Sequence, residues 1–391
     1  MKKSLIAMAF GTFALGMAEF VMMSILPYVA RSIQCNIPQA GHLISAYAIG
    51  VCAGAPAVVL IARKRPLHLI LLALIVIYIT GNALMAFCSD LRLGVIFRFL
   101  SGLPHGAYFG VGSIVADRLA PRGRSSSAIA VMCSGMTVAN LIGIPVGTWI
   151  SEVVSWRMIF LFNALWGIAT FVLLYHMVPH MEPLPNTGIK GQFRFLKSAA
   201  PWLIIATTTF GNGGIFCWYS YISPLMNQVA GFSSSEITML MVLAGGSMCV
   251  GNIIGGKLSD RYSPGETILG VQLIMVFGLL TTFFQASNPG IAVLMLCICT
   301  ASLFGVSAPQ QLLLLRFSKG GEMMGAAMVQ VAFNLGNALG AYSGGLPITY
   351  GLSYNYPALV GACFVGIGVI CTAIFCKIYH KENAGLNLGM Q

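Results

Sequence analysis

A single acidic side chain, Glu19, lies deep within a long apolar stretch of the sequence, GTFALGMAEFVMMSILP. The chain has ten Asp and Glu residues, and the others fall near the ends of apolar stretches or in polar connections. Removing a carboxylate from water disfavours its charged form, so a buried acid can exchange a proton as its surroundings change. The pattern predicts that a proton and a solute compete for Glu19. The alternative is a structural role, in which Glu19 only bonds a neighbouring helix.

Two more ionisable residues, Arg98 and His105, lie in another apolar stretch, RFLSGLPHG. They are seven residues apart, which places them two helical turns apart on one face. A charge deep in a membrane costs roughly 2.5–3.5 kcal/mol on insertion scales and usually marks a pathway or a buried pair. The competing interpretations are an arginine that reaches the outer interface and a histidine that only packs. If functional, His105 is a proton or substrate contact.

Amides and an aromatic side chain complete the set of candidate solute contacts. Amides buried in lipid need partners, and a polar solute in a central cavity can be that partner. An aromatic ring can stack on a sugar or a drug, although packing is an equally ordinary role for it. The candidates are Asn140, Asn212, Trp218, Asn334 and Asn337.

The sequence offers no constellation of residues typical of an enzyme. It contains no HExxH, nucleophile elbow, phosphate-binding loop or paired carboxylates. His176 and His180 are four residues apart, but no third ligand accompanies them, so we expect no metal and no cofactor. An ion channel is disfavoured because one membrane acid and no ring of charges is present. The eleven cysteines have no metal-site or disulfide-framework spacing, which indicates reduced packing residues.

Composition requires that these residues be positioned in a membrane. Of 391 residues, 57% are hydrophobic and 8% charged, whereas about a quarter of a soluble domain is charged. Apolar stretches of about 20 residues each can span the hydrocarbon core. The first is too long for the apolar core of a signal peptide. The predicted spans are residues 4–28, 41–62, 68–89, 91–117, 126–149, 156–178, 200–224, 236–257, 267–286, 289–314, 322–346 and 355–378.

The distribution of basic residues predicts the orientation of these twelve spans. The net charge is +11, and all but four of the 21 Lys and Arg fall at one set of span ends. The exceptions are Arg31, Arg92, Arg98 and Arg157. Basic residues accumulate on the cytoplasmic side, so both termini are expected in the cytoplasm. The positive charge therefore indicates contact with anionic lipid and not with nucleic acid.

The chain also repeats itself. Shifting the first half by 197 residues places Gly16 on Gly213. The same shift places the asparagine and glycines of the fifth span on those of the eleventh span. The one long polar connection, residues 179–199, predicts a cytoplasmic linker between six-helix bundles at 1–178 and 200–391. Repeats in the same orientation imply bundles related by an axis along the membrane normal, which rock around a solute site between them.

Several motifs resemble those of the major facilitator superfamily, in particular its twelve-span drug:proton antiporter group and the AraJ-like arabinose exporters within it. The segment GKLSDRYS is similar to the family's loop motif GxLxDRxG, with Gly256, Asp260 and Arg261 at matching positions. The resemblance implies that Asp260 is a conformational latch. An acid at a helix end can act as a latch because it can hold a neighbouring helix terminus by charge-assisted hydrogen bonds. The corresponding position in the first half is Arg63, so a two-fold latch is not expected.

Other implications of the resemblance concern the first, fourth and fifth spans. Glu19 matches a first-span acid that exchanges protons and contacts substrate, and Arg98 matches a fourth-span arginine linked to proton coupling. Gly143, Pro145 and Gly147 resemble the glycine-rich fifth span of the antiporters, with Ile-Pro in place of the usual Gly-Pro. Close helix packing alone also explains these glycines.

These observations favour an all-α integral membrane protein of the major facilitator fold that transports a small solute. Proton-coupled efflux of a sugar or drug-like compound from the cell, across the inner membrane and by a monomer, is the expected function. A uniporter or symporter of a small polar metabolite is the alternative, and a non-transporting sensor with the same fold is another. The expected partners are the solute, protons and membrane lipids.

Overall fold

The computed structural model describes residues 2–35, 37–62, 64–184 and 188–379, and this part of the chain is helical, without strands. Arg63, the predicted exception to the latch motif, lies outside the described residues. The first half contains six long helices, which begin and end close to the predicted spans. They are α1 (Lys2–Ser32), α2 (Ile37–Ala62), α3 (Leu67–Ala86), α4 (Leu91–Leu119), α5 (Ser125–Val138, Ala139–Gly143 and Ile144–Val153 in succession) and α6 (Trp156–Met177).

The second half contains six more long helices, preceded by the short segments Gly188–Gln192 and Arg194–Lys197. Two further short segments, Ile222–Pro224 and Leu225–Val229, follow the first of these helices. The predicted twelve-helix class is confirmed. The helices are α7 (Ala199–Tyr219), α8 (Ser234–Arg261), α9 (Pro264–Gln285), α10 (Pro289–Gly305 and Ser307–Arg316), α11 (Glu322–Thr349) and α12 (Tyr356–Ile378).

Prolines account for the irregular points in three of these helices. A proline has no N–H to donate to the carbonyl four residues earlier, and its ring clashes with that carbonyl. Pro145 follows a π-helical turn in α5, where Ile144 N–H donates to Ala139 O, five residues back. Pro309 follows the break in α10, and Pro224 follows the end of α7.

Three of the twelve helices are less apolar than the others. In the part of the chain that the structure describes, nine helices are long and apolar enough to cross a membrane, and α4, α7 and α11 are not among them. They are long enough, because even α7, with 21 residues, extends about 32 Å at 1.5 Å per residue. These helices carry most of the polar candidates, and a helix that faces protein does not need an apolar surface all round.

The chain packs as two compact units. Unit 1 runs from the amino terminus to Leu119 and adds Val131–Phe195 and Ser318–Val331. One cluster of its core includes buried side chains of α1, α2, α3 and α6, among them Val21, Leu43 and Phe160. Unit 1 therefore contains the whole of α1 to α4, with Glu19, Arg98 and His105.

Unit 2 comprises Ala120–Ala130, Leu196–Phe317 and the chain from Ala332 onward. Inside it, buried polar groups of three helices bond one another. Gln272 Nε2 donates to Thr207 O at 3.2 Å, and Thr372 Oγ1 lies 2.7 Å from Gln272 Oε1. These polar groups of α7, α9 and α12 are satisfied within the unit, as burial requires.

Candidate functional site

Glu19 and His105 face each other in the interior of unit 1. Glu19 is 6% exposed and His105 is fully buried. Glu19 Oε2 lies 3.7 Å from His105 Nε2, which is too long for a hydrogen bond. Neither of these two atoms has a hydrogen-bond partner among the described residues. A buried polar atom without a partner is uncommon and costly, so the two atoms mark a place where a proton or a ligand group would be held.

The other ring nitrogen of His105 contacts Tyr47, a residue of α2 that the sequence analysis missed. Tyr47 Oη lies 2.9 Å from His105 Nδ1, within the range of a hydrogen bond. The imidazole also stacks on Phe109, with ring centroids 5.2 Å apart. The histidine ring is therefore held in a fixed orientation, with Nε2 directed at Glu19. No sequence signal separates Tyr47 from the other twelve tyrosines, because its partner lies 58 positions away.

Arg98 is fully buried beside this pair and bonds backbone carbonyls. Its Nε donates to Leu43 O at 3.2 Å, and its Nη1 donates to Ala18 O at 2.8 Å. The guanidinium lies 4.4 Å from the centre of the Tyr47 ring, in cation–π contact. Its Nη2 has no partner among the described residues. Arg98 thus links α4 to α1 and α2, and places positive charge near the Glu19–His105 pair.

Side chains of four helices donate hydrogen bonds to the carbonyls of α1 and so position Glu19. Each carbonyl already accepts a bond within the helix, and its second lone pair accepts the side-chain donor. These bonds set the height and rotation of α1 within unit 1. The donors are Tyr108 to Met8 (3.2 Å), Trp166 to Phe10 (3.0 Å), Tyr78 to Ala14 (2.8 Å), Tyr47 to Leu15 (3.4 Å) and Arg98 to Ala18.

Two glycines allow close packing of the helices around the site. A Cβ at Gly102 of α4 would overlap the carbonyl oxygen of Tyr47, and one at Gly143 of α5 would overlap Met17 Sδ. At Gly102 the obstructing atoms belong to the backbone, so only hydrogen fits there, whereas the Met17 side chain opposite Gly143 is flexible. Gly102 therefore sets the spacing of α2 and α4, which brings Tyr47 to His105. Gly143 leaves room for the Met17 side chain of α1.

Of the remaining fifth-span candidates, Gly147 lies on the same side of α5 as Gly143. A Cβ at Gly147 would come within 2.5 Å of Val21 Cγ2, so this glycine also contacts α1. Asn140 lies in the π-helical turn and is half-buried, as is Pro145. A π-turn widens a helix and is often found at functional sites.

In unit 2, Asn212 forms a reciprocal pair with Gln310, a residue that the sequence analysis also missed. Asn212 Nδ2 donates to Gln310 Oε1 at 3.2 Å, and Gln310 Nε2 donates to Asn212 Oδ1 at 3.3 Å. Both side chains are 1% exposed. Gln310 and Gln311 are adjacent amides in a predicted span, so the argument used for Asn334 would have identified them.

The other solute candidates of unit 2 differ in exposure. Trp218 is fully buried, with its ring centroid 6.0 Å from that of Tyr219. Asn334 is 7% exposed, and Asn337, three residues further along α11, is half-buried. Trp218 occupies a packing position, whereas the two asparagines lie along one side of their helix.

Asp260, also in unit 2, accepts two hydrogen bonds from the start of α5. Ser126 N donates to its Oδ1 and Ser127 N to its Oδ2, each at 3.0 Å. The first N–H groups of a helix have no partners within it and carry partial positive charge, so a carboxylate satisfies both demands. The contact is reinforced by Ser126 Oγ and Ser259 Oγ, 2.7 Å apart.

The other two residues of the loop motif play unequal parts in this contact. Gly256 is buried against the same helix, and a Cβ there would lie 2.7 Å from Ala130 Cβ. Arg261 is exposed, and its guanidinium lies 5.5 Å from the Tyr262 ring centre. Gly256 and Asp260 therefore form the contact with α5.

Comparison with known proteins places these features in a family. The model described as Major Facilitator Superfamily matches residues 8–341. The Escherichia coli (strain K12) protein assigned as transporter AraJ is 46% identical over 384 residues, covering 98% of this chain and 97% of that protein. The inner membrane transport protein YdhP of the same strain is 36% identical, covering 94% of each.

Solved structures share the fold. The crystal structure of FucP, a transporter of the Major Facilitator Superfamily in the outward conformation, has a TM-score of 0.76 to this chain, and the match covers 96% of this chain and 98% of that one. Its sequence identity is 14%, so this likeness supports the fold alone.

Proposed function

The chain belongs to the Major Facilitator Superfamily and is a multi-pass membrane transporter, and we propose that it exports a small polar solute in exchange for protons. Transport proceeds by alternating access, with a sugar or a drug-like compound as the solute. The cell's inner membrane is the proposed location, with both termini in the cytoplasm and a monomer as the working form.

The observation that carries the proposal is the Glu19–His105 pair. Its facing oxygen and nitrogen lie 3.7 Å apart, buried and without partners. A neutral acid at this place needs one hydrogen-bond acceptor, whereas a carboxylate needs donors or a positive charge. Protonation therefore changes what the site can bind, as exchange of a proton for a solute requires.

For solute binding we propose the amides of unit 2. Asn212 and Gln310 bond each other, and each amide can exchange this partner for a hydroxyl or amide of a solute at little cost, because donors and acceptors are matched. Asn334 adds a further amide on α11. This chemistry suits a solute with several hydroxyl groups better than a purely apolar one.

We also propose that Asp260 is a conformational latch. Its two bonds to the amino-terminal turn of α5 join segments that are more than 130 positions apart in sequence. Because they are charge-assisted, these bonds favour any state in which α5 and α8 meet in this way. Breaking them would release the start of α5.

Proteoliposomes that contain a trapped pH dye test the proposed exchange. Pools of sugars, nucleosides and amphipathic drugs are added in turn, and proton movement is recorded for the wild type and for Glu19→Gln. Glu236→Gln is the matched control, because it also removes one acid, at an exposed helix cap where glutamine still fits. We expect proton flux with one pool, lost in Glu19→Gln and kept in Glu236→Gln.

The same experiment separates the alternatives. Movement of the solute in the same direction as the proton would indicate a symporter and not an antiporter. Solute movement without proton flux would indicate a uniporter. Absence of movement with every pool, in a protein that still binds a solute, would favour the sensor. Flux that persists in Glu19→Gln would remove Glu19 from the mechanism.

A further inference from the structure

The hydroxyl of Tyr47 lies between two possible acceptors. One is His105 Nδ1, at 2.9 Å, and the other is the carbonyl oxygen of Leu15, at 3.4 Å. Leu15 is four residues before Glu19, so this carbonyl also accepts the backbone N–H of Glu19 in α1. The hydroxyl therefore contacts the helix turn that carries the acid and the imidazole that faces it.

A hydroxyl has one proton, so Tyr47 can donate to only one of these acceptors at a time. When it donates to His105 Nδ1, a neutral imidazole must carry its proton on Nε2. When it donates to Leu15, its oxygen is free to accept a proton from Nδ1, and Nε2 is then the acceptor. The direction of the Tyr47 hydroxyl thus determines which nitrogen of His105 carries the proton.

We propose that Tyr47 is a positioning residue that couples the tautomer of His105 to the protonation of Glu19. With Glu19 protonated and its carboxyl moved from 3.7 Å to hydrogen-bond distance of Nε2, the acid donates to Nε2, Nδ1–H donates to Tyr47, and Tyr47 donates to Leu15. With Glu19 ionised, Tyr47 donates to Nδ1 and Nε2–H donates to the carboxylate. The net change is the loss of one proton to water, one negative charge on Glu19, and transfer of the imidazole proton from Nδ1 to Nε2.

Among the tyrosines described around the site, Tyr47 contacts His105, and the others donate to backbone carbonyls. Tyr78 of α3 donates to Ala14 O at 2.8 Å, and Tyr108 of α4 donates to Met8 O at 3.2 Å. Arg98 contributes a fixed positive charge over the Tyr47 ring and donates to carbonyls. A chain of hydrogen bonds that ends on a carboxylate is stronger than a chain between neutral groups, so the two arrangements differ in energy.

The test reads the tautomer directly and rests on the proposed role of Glu19. Protein with ¹⁵N-labelled histidine is placed in lipid bilayers, and solid-state NMR reports the protonated nitrogen over a pH series. The signal that disappears in His105→Gln belongs to His105. The variants are Tyr47→Phe, which keeps the ring over Arg98, Glu19→Gln, and Tyr175→Phe as the matched control, because Tyr175 is exposed on α6.

We expect the wild type and Tyr175→Phe to change from Nδ1–H to Nε2–H in one step as pH rises. Tyr47→Phe should show the change at a different pH, because Nδ1 then has no hydroxyl partner in either arrangement, and Glu19→Gln should show no change with pH. A Tyr47→Phe variant that switches as the wild type does, or a wild type with one tautomer throughout, would overturn the proposal. Proton flux in the same bilayers is a separate readout, so a switch without flux would contradict antiport and not the role of Tyr47.

Discussion

At the scale of single residues, Arg98 shows how a buried cation is held without a carboxylate partner. Its Nε and Nη1 bond the carbonyls of Leu43 and Ala18, and its guanidinium covers the Tyr47 ring. The planar fork of arginine reaches two helices at once, and a lysine ammonium on a flexible stem cannot reproduce that geometry. Arg98 therefore stabilises the arrangement of α1, α2 and α4 and supplies charge to the site.

This geometry predicts that Arg98→Lys destabilises the protein. Loss of at least one bond to a buried carbonyl costs about 1–3 kcal/mol. The measurement is thermal unfolding in detergent, with Arg92→Lys as the control, because Arg92 is exposed at the start of the same helix. A melting temperature that is equal in the two variants would contradict the assigned role of the guanidinium.

The residues that sequence could identify are those whose types are unusual in a membrane. Glu19, Arg98 and His105 stand out because a charge in an apolar stretch requires a reason. Tyr47 does not stand out, since a tyrosine in a span is ordinary. Its contact with His105 depends on how helices distant in sequence pack together. Gln310 falls between these cases, because an amide in a span is unusual enough to be noticed.

At the scale of elements, the distance between α2 and α4 decides whether Tyr47 reaches His105. Gly102 sets that distance, because any Cβ there would overlap the Tyr47 carbonyl. We predict that Gly102→Ala costs about 1–3 kcal/mol of stability and reduces proton flux. Gly366→Ala is the control, since no atom lies within 4 Å of a Cβ at that position in α12.

Thermal unfolding and flux are measured on both glycine variants. Gly366→Ala should be neutral or stabilised by up to about 1 kcal/mol, because alanine favours a helix. If Gly102→Ala matched it in both measurements, the close approach of α2 and α4 would not matter for the site.

A separate prediction at this scale concerns the contact of Asp260 with α5. Asp260→Asn keeps the shape of the side chain but removes the charge and turns one acceptor into a donor. We expect about tenfold faster hydrogen–deuterium exchange of the first amides of α5, which corresponds to about 1.4 kcal/mol.

Mass spectrometry of peptides covering residues 125–130 measures this exchange. Asp90→Asn is the control, because Asp90 caps its own helix, with Oδ1 bonded to Arg92 N and Leu93 N, and asparagine is an equally good cap. Exchange at the start of α5 that stays as slow in Asp260→Asn as in Asp90→Asn would exclude the latch.

Helix positions were largely predictable from sequence, because span length and apolarity are imposed by the bilayer. The interruptions were less so. Pro145, Pro224 and Pro309 marked where bonds must fail, but the form of each failure, a π-turn or a break, depends on the neighbouring helices. The less apolar character of α4, α7 and α11 likewise reflects what each helix contacts.

At the scale of the whole molecule, the internal duplication and the basic residues predict the topology. An even number of spans, with basic residues at the ends expected in the cytoplasm, predicts that both termini are inside. The division into bundles at 1–178 and 200–391, joined by 179–199, stays a prediction. The residues from 380 onward lie outside the described part of the chain.

Reporter fusions after Gln391 measure the topology. We expect a fluorescent protein to mature there, because it folds in the cytoplasm, and alkaline phosphatase to be inactive, because it requires the periplasm. A fusion after Ser89, in the connection between α3 and α4, should give the opposite result. Active phosphatase at Gln391 would overturn the predicted orientation.

The central claim is that Glu19 takes up and releases a proton inside the folded transporter, and infrared difference spectroscopy across a pH step tests it without knowledge of the solute. The account predicts a carboxylic acid carbonyl band that is present in the wild type and in Glu236→Gln and absent in Glu19→Gln. A band of the same size in all three proteins would contradict it, because the titrating acid would then be another residue.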